Sequence, residues 1–381
     1  MAYFDNNSTT KPLADVLVAM QDASAKNWAN PSSPHRSGGH VRALIERARE
    51  EIAQTLDVEP KQLTFTSGAT ESNNAVISSI AKRQDGSSNN ILLSSIEHPS
   101  VLETAKFHFS EKIRTFPVNS DGVVQIEDLI ELIDQKVPHL VALMAVHNET
   151  GVIQPWQEVA QVCRDRGVWF HCDATQWIGK LDPAGLSSCS SFSFSAHKFG
   201  GPKGVGALVS NKPISWVKGG GQERETRGGT ENFPGIEGMR VAWLHHCCSG
   251  YSFDLEESWR DAFEEQINYQ FTGLKIIGRK AKRLWNTSLL CLPEFNNLDW
   301  VSRLDKLGHV VSTGSACSTA RDQPSTLSGA IGLNGAESRR LVRVSASTAT
   351  SKRDWQSLGD AFQKAYIGLQ TERKNDGVIS L

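Results

Sequence analysis

The fold of this chain is constrained most by an alternation of short apolar runs with longer amphipathic stretches along its sequence. The apolar runs occupy residues 91–95, 140–147, 168–173 and 191–195, and turn residues or helical stretches flank each of them. Apolar residues recur at helical spacing elsewhere, as in residues 41–56, where charged residues fill the other positions. Strands that alternate with helices favour a mostly parallel sheet covered by helices on both faces. We therefore predict an α/β fold.

Reactive side chains lie at the ends of these runs. His98 follows the first run, Asp173 ends the third, and Lys198 follows the fourth. Ligands in open α/β sheets bind beyond the carboxyl ends of the strands, where these three side chains would meet. We expect the functional site at that edge of the sheet.

The character of the sequence changes after about residue 250. A charged helical stretch over residues 255–271 leads to shorter elements, and a final helix opens at Ser351. Ser351 and Asp354 have the spacing of a capping box, which marks a helix N-terminus. We expect a second, smaller domain here and a loose tail over residues 374–381.

The composition is that of an ordinary globular protein. Of the 381 residues, 39% are hydrophobic and 22% are charged, enough for two domains with a sizeable core. The formal net charge of -2 gives no reason to expect direct binding to nucleic acid. The first residues lack the order of a secretory signal, and no apolar run approaches the roughly 18 residues of a membrane span. We expect a cytoplasmic protein without membrane association.

The seven cysteines are scattered and form no Cys-x-x-Cys pair, so neither a disulfide framework nor a zinc site is indicated. Their tightest cluster with histidine is residues 245–248. Adjacent side chains on a helix diverge by about 100°, so these four would not face one metal ion if the segment is helical. We predict no metal site.

The strand over residues 191–195 leads into a glycine-rich turn that carries Lys198. Lysine is the side chain that forms Schiff bases, although most lysines in surface loops are simply solvated. The glycines form no phosphate-binding P-loop, because its spacing of glycine, lysine and Ser/Thr is absent. Asp173 is placed to pair with a pyridinium nitrogen or to cap the following helix.

A strand, a glycine turn and small hydroxyl residues are combined in residues 66–74. Backbone N–H groups and the dipole at the start of a helix suit a phosphate, and they equally suit a capped helix without a ligand. Taken together with Lys198, Asp173 and His98, this segment describes a cofactor site.

These residues resemble the cysteine desulfurases within the fold-type-I pyridoxal-phosphate enzymes, which are similar to class-V aminotransferases. The resemblance extends over nearly the whole chain in the family's order, through residues 3–10, 30–35, 67–74, 97–99, 148–151, 170–176, 191–204, 219–232 and 312–318. We accordingly expect a large domain over residues 16–249, with a mostly parallel mixed sheet between helices. A smaller α+β domain would consist of residues 1–15 and 250–381.

The resemblance implies a pyridoxal 5'-phosphate site. Lys198 would form the Schiff base, Asp173 would pair with the pyridine nitrogen, and Gln176 would contact the ring hydroxyl. His98 would stack on the ring and assist proton transfer. The phosphate would be held by residues from three segments, the last belonging to the other subunit of a homodimer: Ala69 and Thr70, Ser195 and His197, and Thr230.

The resemblance also implies the substrate and the reaction. Asn7, Asn148 and Arg343 would bind the carboxylate of L-cysteine, a role that suits the planar fork of an arginine. Cys317 lies in a Gly/Ser-rich stretch suited to a mobile loop, although free cysteines are more often buried core residues. Cys317 would take the sulfur as a persulfide, L-alanine would leave, and a sulfur-acceptor protein would receive the sulfur.

The sequence departs from the family at one place. Many members have Gly-Arg-Phe-Thr after the carboxylate-binding arginine, whereas residues 347–350 read Ser-Thr-Ala-Thr, so Thr348 replaces a common arginine. A selenocysteine lyase or another class-V aminotransferase-like enzyme would share the cofactor site without requiring Cys317. A non-catalytic protein that kept the fold would lack the bond between lysine and cofactor. Iron–sulfur cluster assembly and thiolation of tRNA or DNA are the candidate destinations of the sulfur.

Overall fold

The computed structural model describes residues 1–82, 90–248, 253–314 and 326–378. Its strands are β1 (Ala2–Tyr3), β2 (Leu63–Thr66), β3 (Ile91–Ser94), β4 (Ile113–Phe116), β5 (Leu140–Met144), β6 (Trp169–Asp173), β7 (Ser191–Ser195), β8 (Gly206–Ser210), β9 (Lys275–Ile276), β10 (Thr287–Cys291), β11 (His309–Val310), β12 (Ser312–Thr313) and β13 (Leu341–Ser345). Its helices are α1 (Ala14–Lys26), α2 (Arg36–Thr55), α3 (Ala69–Ala81), α4 (Pro99–Phe109), α5 (Ile126–Gln135), α6 (Trp156–Asp165), α7 (Phe233–Cys247), α8 (Asp254–Gln270), α9 (Asn297–Lys306), α10 (Thr326–Ala330), α11 (Gly335–Ser338) and α12 (Lys352–Val378).

The largest sheet has seven strands in the order β2-β8-β7-β6-β5-β3-β4. Strand β8 is antiparallel to both of its neighbours, and the remaining pairs are parallel. Along β5, Leu140 and Ala142 pack into one apolar cluster and Val141 and Leu143 into another, because successive strand residues face opposite sides. Both faces are therefore covered, and the predicted α/β class with a mostly parallel sheet is confirmed.

A second core lies around a four-stranded antiparallel sheet in the order β12-β13-β10-β9. Helices α8, α9 and α12 cover it, and aromatic rings fill the space between. Phe4 packs edge-on against Trp355 with ring centroids 5.0 Å apart, and Trp300 stacks on Tyr366 at 6.1 Å. The predicted change of character after residue 250 corresponds to this core, while the exact domain boundaries stay a prediction.

Two helix predictions can be compared with the structure at their ends. The amphipathic pattern at residues 41–56 belongs to α2, which begins earlier because the His35 side chain caps it by accepting a hydrogen bond from Gly38. The capping box is confirmed, since Ser351 N–H donates to Asp354 Oδ2 at 2.9 Å and Asp354 N–H to Ser351 Oγ at 3.2 Å. The loose tail is wrong for residues 374–378, which continue α12, and residues 379–381 lie outside the described part.

The N-terminal segment joins the two sheets. Strand β1 pairs in parallel with β11, and Asp5 forms a bridge with Ser345 at the end of β13. The chain then crosses to the large sheet, where Thr10 N–H donates to the His197 carbonyl at 2.8 Å. Residues 5–10 are thereby drawn across the carboxyl edge of the large sheet.

Candidate active site

Lys198 lies in a short 3-10 turn that directly follows β7. The chain turns sharply there, since Gly200 has a φ of +81° and a Cβ on it would lie 3.0 Å from Leu13 Cγ. Lys198 Nζ donates to the carbonyl oxygens of Asn7 and Ser8, both at 2.8 Å. The N-terminal segment therefore holds the lysine at the predicted edge of the sheet.

Asp173 ends β6, beside β7, and is buried. Its Oδ2 accepts a hydrogen bond from Asn73 Nδ2 at 2.9 Å, and its Oδ1 accepts one from the Thr175 backbone N–H at 3.0 Å. Hydrogen bonds from two donors stabilise a carboxylate in its charged form. A charged acid has the chemistry needed to hold a pyridine nitrogen protonated.

Glu97 is a second buried carboxyl group close to Asp173. Its Oε1 accepts a hydrogen bond from Met144 N–H at 2.8 Å, and its Oε2 has no hydrogen-bond partner among the described residues. Burial, with a smaller contribution from Asp173, raises the pKa of Glu97 to about 8. Glu97 is therefore protonated at neutral pH, and it does not repel the charge on Asp173.

His98 caps the N-terminus of α4. Its Nδ1 accepts a hydrogen bond from the Ser100 backbone N–H at 3.1 Å and lies 2.8 Å from Ser100 Oγ. Burial lowers the pKa of His98, while Asp173 raises it and Lys198 lowers it further. The ring is thus neutral with its proton on Nε2, which suits both stacking and proton transfer.

The first turn of α3 forms a cradle of backbone N–H groups. Gly68 precedes it with a φ of +147°, and a Cβ at that position would lie 3.1 Å from Ser195 Oγ. Ala69 N–H donates to Ser195 Oγ at 2.8 Å, and Thr70 is exposed on the same turn. A helix N-terminus flanked by two hydroxyl groups suits a phosphate.

His197 lies beside the lysine on the same turn, with Nδ1 3.2 Å from Thr9 Oγ1. Burial, together with the charges of Lys198, Lys203 and Lys180, lowers the pKa of His197 to about 4. It can therefore offer an anion a hydrogen bond but no charge at neutral pH.

Gln176 belongs to the network that holds the lysine. Its Nε2 donates to the Asn7 carbonyl at 3.0 Å, and its Oε1 accepts a hydrogen bond from Lys180, whose Nζ also donates to Asn7 Oδ1 at 3.2 Å. Lys180 is buried, and burial together with the charges of Lys198 and Arg343 holds its pKa well below the usual range. Lys180 is not predicted from the sequence, because it lies in a turn without a recognisable motif.

Arg343 reaches the same segment from β13. Its Nη2 donates to Asp5 Oδ1 at 2.7 Å and to Ser8 Oγ at 2.6 Å, and its Nη1 donates to the Asn148 carbonyl at 3.3 Å. Its Nε is buried and has no hydrogen-bond partner among the described residues. Arg343 and Asn148 thus lie together as predicted, with the main-chain oxygen of Asn148 making the contact.

Thr230 does not belong to this cluster. It is exposed on the loop between β8 and α7. That loop is fixed by Glu223, which accepts hydrogen bonds from both terminal nitrogens of the buried Arg49 at 2.8 and 2.9 Å. Glu223 begins three consecutive residues with positive φ, at 46°, 54° and 64°. The predicted catalytic Cys317 lies outside the described residues.

The family of the chain follows from comparison with known proteins. A family model described as aminotransferase class-V matches residues 2–358. A curated relative from Dictyoglomus turgidum, named cysteine desulfurase IscS, is 33% identical over 97% of this chain and 95% of its own length. Another from Sinorhizobium fredii, named cysteine desulfurase, is 35% identical over 92% of this chain and 93% of its own.

Solved structures agree with these relatives. A NifS-like protein superimposes with a TM-score of 0.87 at 32% identity, covering 95% of this chain and 98% of its own. SspA in complex with cysteine gives a TM-score of 0.79 at 31% identity, covering 91% and 98%. The chain therefore belongs to the class-V aminotransferase family, whose enzymes use pyridoxal 5'-phosphate. Within that family it belongs with the cysteine desulfurases.

The residues present fit this cofactor. The buried Asp173, the lysine, the neutral imidazole and the N–H cradle lie at one edge of the sheet. Thr175 Oγ1, adjacent to Asp173 in this edge, is a buried hydroxyl without a hydrogen-bond partner among the described residues. Buried polar atoms are normally paired, so a polar group bound here would complete the site. Within the part of the chain that the structure describes, no cluster of His, Cys, Asp or Glu could hold a metal ion. No helix in that part could span a bilayer.

Proposed function

We propose that the protein is a cysteine desulfurase, which converts L-cysteine to L-alanine and leaves the sulfur as a persulfide on Cys317. One observation carries the proposal: Lys198 and Arg343 both contact Ser8, through its carbonyl oxygen at 2.8 Å and its hydroxyl at 2.6 Å. A base for the α-proton and a cation for the α-carboxylate thus contact the same residue, which brings them as close together as an α-amino-acid substrate requires.

The site residues then have defined tasks. When bound, pyridoxal phosphate supplies the electron sink for the pair that remains when the substrate Cα loses its proton. Lys198 Nζ takes that proton. The carbonyl oxygens of Asn7 and Ser8 hold the amine in place by accepting its hydrogen bonds. Asp173 holds a proton at the ring nitrogen, and Arg343 with Asn7 and Asn148 orients the carboxylate.

The sulfur step is assigned to Cys317. Its thiolate would attack the sulfur of the bound cysteine, so that an S–S bond forms while the Cβ–S bond of the substrate breaks. The carbon fragment takes up protons and leaves as L-alanine. The sequence around residues 312–318 supports this assignment, as do the curated relatives that carry the name cysteine desulfurase.

Two partners follow from the same proposal. A sulfur-acceptor protein removes the terminal sulfur from Cys317. A second copy of the chain supplies Thr230 to the phosphate, a role supported by the exposure of Thr230 on a loop anchored by Arg49 and Glu223.

The test is product formation by the purified holoenzyme with L-cysteine and a thiol reductant. We expect alanine and sulfide in equal amounts, with Cys317→Ser reducing both rates at least about a hundredfold. Cys248→Ser is the matched control, because Cys248 is an exposed free cysteine. The protein is a selenocysteine lyase instead if two results are found together. Cys317→Ser would keep full activity on selenocysteine, and the wild type would release no sulfide from L-cysteine.

A further inference from the structure

A chain of buried hydrogen bonds extends from Asp173 into the layer behind the site. Asn73, on α3, donates to Asp173 through Nδ2, and its Oδ1 lies 2.8 Å from His171 Nε2 and 2.6 Å from Ser193 Oγ. His171 Nδ1 lies 3.0 Å from Ser191 Oγ. Asn73, His171 and Ser193 are all 0% exposed, so every polar atom here must be paired within the protein.

The direction of each bond follows from chemistry. A carboxylate only accepts hydrogen bonds, so the nitrogen of Asn73 faces Asp173 and its oxygen faces His171. His171 must then carry its proton on Nε2 and accept at Nδ1 from the Ser191 hydroxyl. Ser191 Oγ in turn accepts a hydrogen bond from Trp169 Nε1 at 2.9 Å. Burial, opposed by Asp173, lowers the pKa of His171 to about 4, which agrees with a neutral ring.

The other N–H of Asn73 leads to His98. Asn73 Nδ2 donates to Ser100 Oγ at 2.9 Å, and His98 Nδ1 already accepts the Ser100 backbone N–H. The Ser100 hydroxyl, 2.8 Å from Nδ1, therefore donates to it as well. One amide thus contacts both the acid predicted to face the ring nitrogen and, through one hydroxyl, the imidazole predicted to face the ring.

We propose that Asn73 and His171 are positioning residues for the reaction. His171 locks the orientation of the Asn73 amide, which aims the carboxylate of Asp173 and holds the Ser100 hydroxyl that donates to His98. This inference rests on the proposed function, because it concerns how a bound cofactor ring is held. Neither residue touches the cofactor in this assignment, so the effects must pass through Asp173 and His98.

The test compares His171→Leu with His171→Gln in the holoenzyme. Gln retains an N–H near the position of Nε2, whereas Leu has no donor. A less firmly held Asp173 keeps the ring nitrogen protonated less well. We therefore expect His171→Leu to raise the pH midpoint of the cofactor's visible absorbance by about one unit and to weaken cofactor binding about tenfold. His171→Gln should recover most of both changes.

A second variant acts directly on the amide. Asn73→Asp preserves size but turns an acceptor toward Asp173, so we expect kcat to fall about a hundredfold while KM for L-cysteine changes less than about twofold. Ser193→Ala is its control, since it removes one of the two donors to Asn73 Oδ1 and leaves His171 in place. Its kcat should change less than about threefold.

The inference is overturned if both His171 variants keep the wild-type absorbance midpoint and cofactor affinity, even when both unfold at lower temperature. The network would then serve the fold alone. A wild-type holoenzyme that forms no alanine from L-cysteine would instead contradict the proposed function, and the absorbance comparison of the His171 variants would still be decisive for the network.

Discussion

The two halves of the site are built differently. Around Asp173, the hydrogen bonds run between buried side chains of α3, β6 and β7 and end in the interior. Around Arg343, they run to one main-chain oxygen, to the Ser8 hydroxyl and to Asp5, a carboxylate that is 19% exposed in its side chain. The first arrangement suits a group that stays bound. The second suits a ligand that must arrive and depart, because one carboxylate can replace another at the arginine.

The largest expected effect comes from replacing Lys198. It tests whether cofactor binding and catalysis in the half of the site around Asp173 depend on this lysine. Lys198→Ala should lower the rate of alanine formation at least about a thousandfold and abolish the visible absorbance of the lysine-bound cofactor. Lys203→Ala is the control, since Lys203 is exposed and five residues further along the chain. A Lys198→Ala variant with more than a tenth of the wild-type rate would contradict the assignment.

A smaller effect should separate the halves. Arg343→Lys keeps the charge but loses the planar fork, so kcat/KM for L-cysteine should fall about a hundredfold, mostly through KM. Because Arg343 contacts the N-terminal segment rather than Asp173, the absorbance of the bound cofactor should stay unchanged. A change of the cofactor spectrum comparable to the change in KM would show that the halves are not independent.

Glu97 gives the Asp173 half a dependence on pH. Its pKa is about 8 in the native state, against an ordinary value of 4.5. The native protein therefore keeps a proton that the unfolded chain releases above pH 4.5, and stability is lost as pH rises toward 8. In urea unfolding, the free energy of unfolding of Glu97→Gln minus that of wild type should increase by about 2 kcal/mol from pH 5.5 to pH 7.5.

The control for this experiment is Glu103→Gln, which alters an exposed carboxylate on α4, the helix that begins just after Glu97. Its stability relative to wild type should stay nearly constant over that pH range. A constant difference for Glu97→Gln as well would mean that Glu97 is ionised in the native protein.

The smallest effect concerns Ser8. Its hydroxyl donates to Asp5 at 2.8 Å and accepts from Arg343, while its carbonyl accepts from Lys198. Ser8→Ala removes only the hydroxyl, so KM for L-cysteine should rise about fivefold with kcat nearly unchanged. A fall in kcat larger than the rise in KM would show that the hydroxyl also supports the lysine.

The sequence predicts the strands of the large sheet better than their ends. Strand β7 has its predicted bounds, because the short 3-10 turn that carries Lys198 follows at once. The apolar run over residues 140–147 is longer than β5, which ends at Met144. Beyond it, the chain bends back so that Val146 bridges Ile153 and the His147 ring accepts N–H groups of the turn. Hydrophobicity continues through that bend, so a periodicity argument does not detect it.

The site is predictable where residues follow strands and unpredictable where they lie inside elements. Lys198 and His98 follow from their places after strands and Asp173 from its place at the end of one, and the structure puts them at one edge. Asn73 and His171 are inside a helix and a strand, and the alternation of apolar residues does not say which polar partner will face them. A histidine within a fully buried strand was the available signal, since an interior imidazole must find partners.

The pairing of the N-terminal segment with the far end of the chain has a consequence for biosynthesis. Asn6 donates to the Ser345 carbonyl across 339 positions, and the neighbouring Asn7 and Ser8 hold the lysine. At typical translation rates of about 5–20 residues per second, these residues wait roughly 20–70 s for their partner strand to be made. A nascent chain can therefore assemble its large sheet well before it can seat a cofactor, and loading should follow the synthesis of β13.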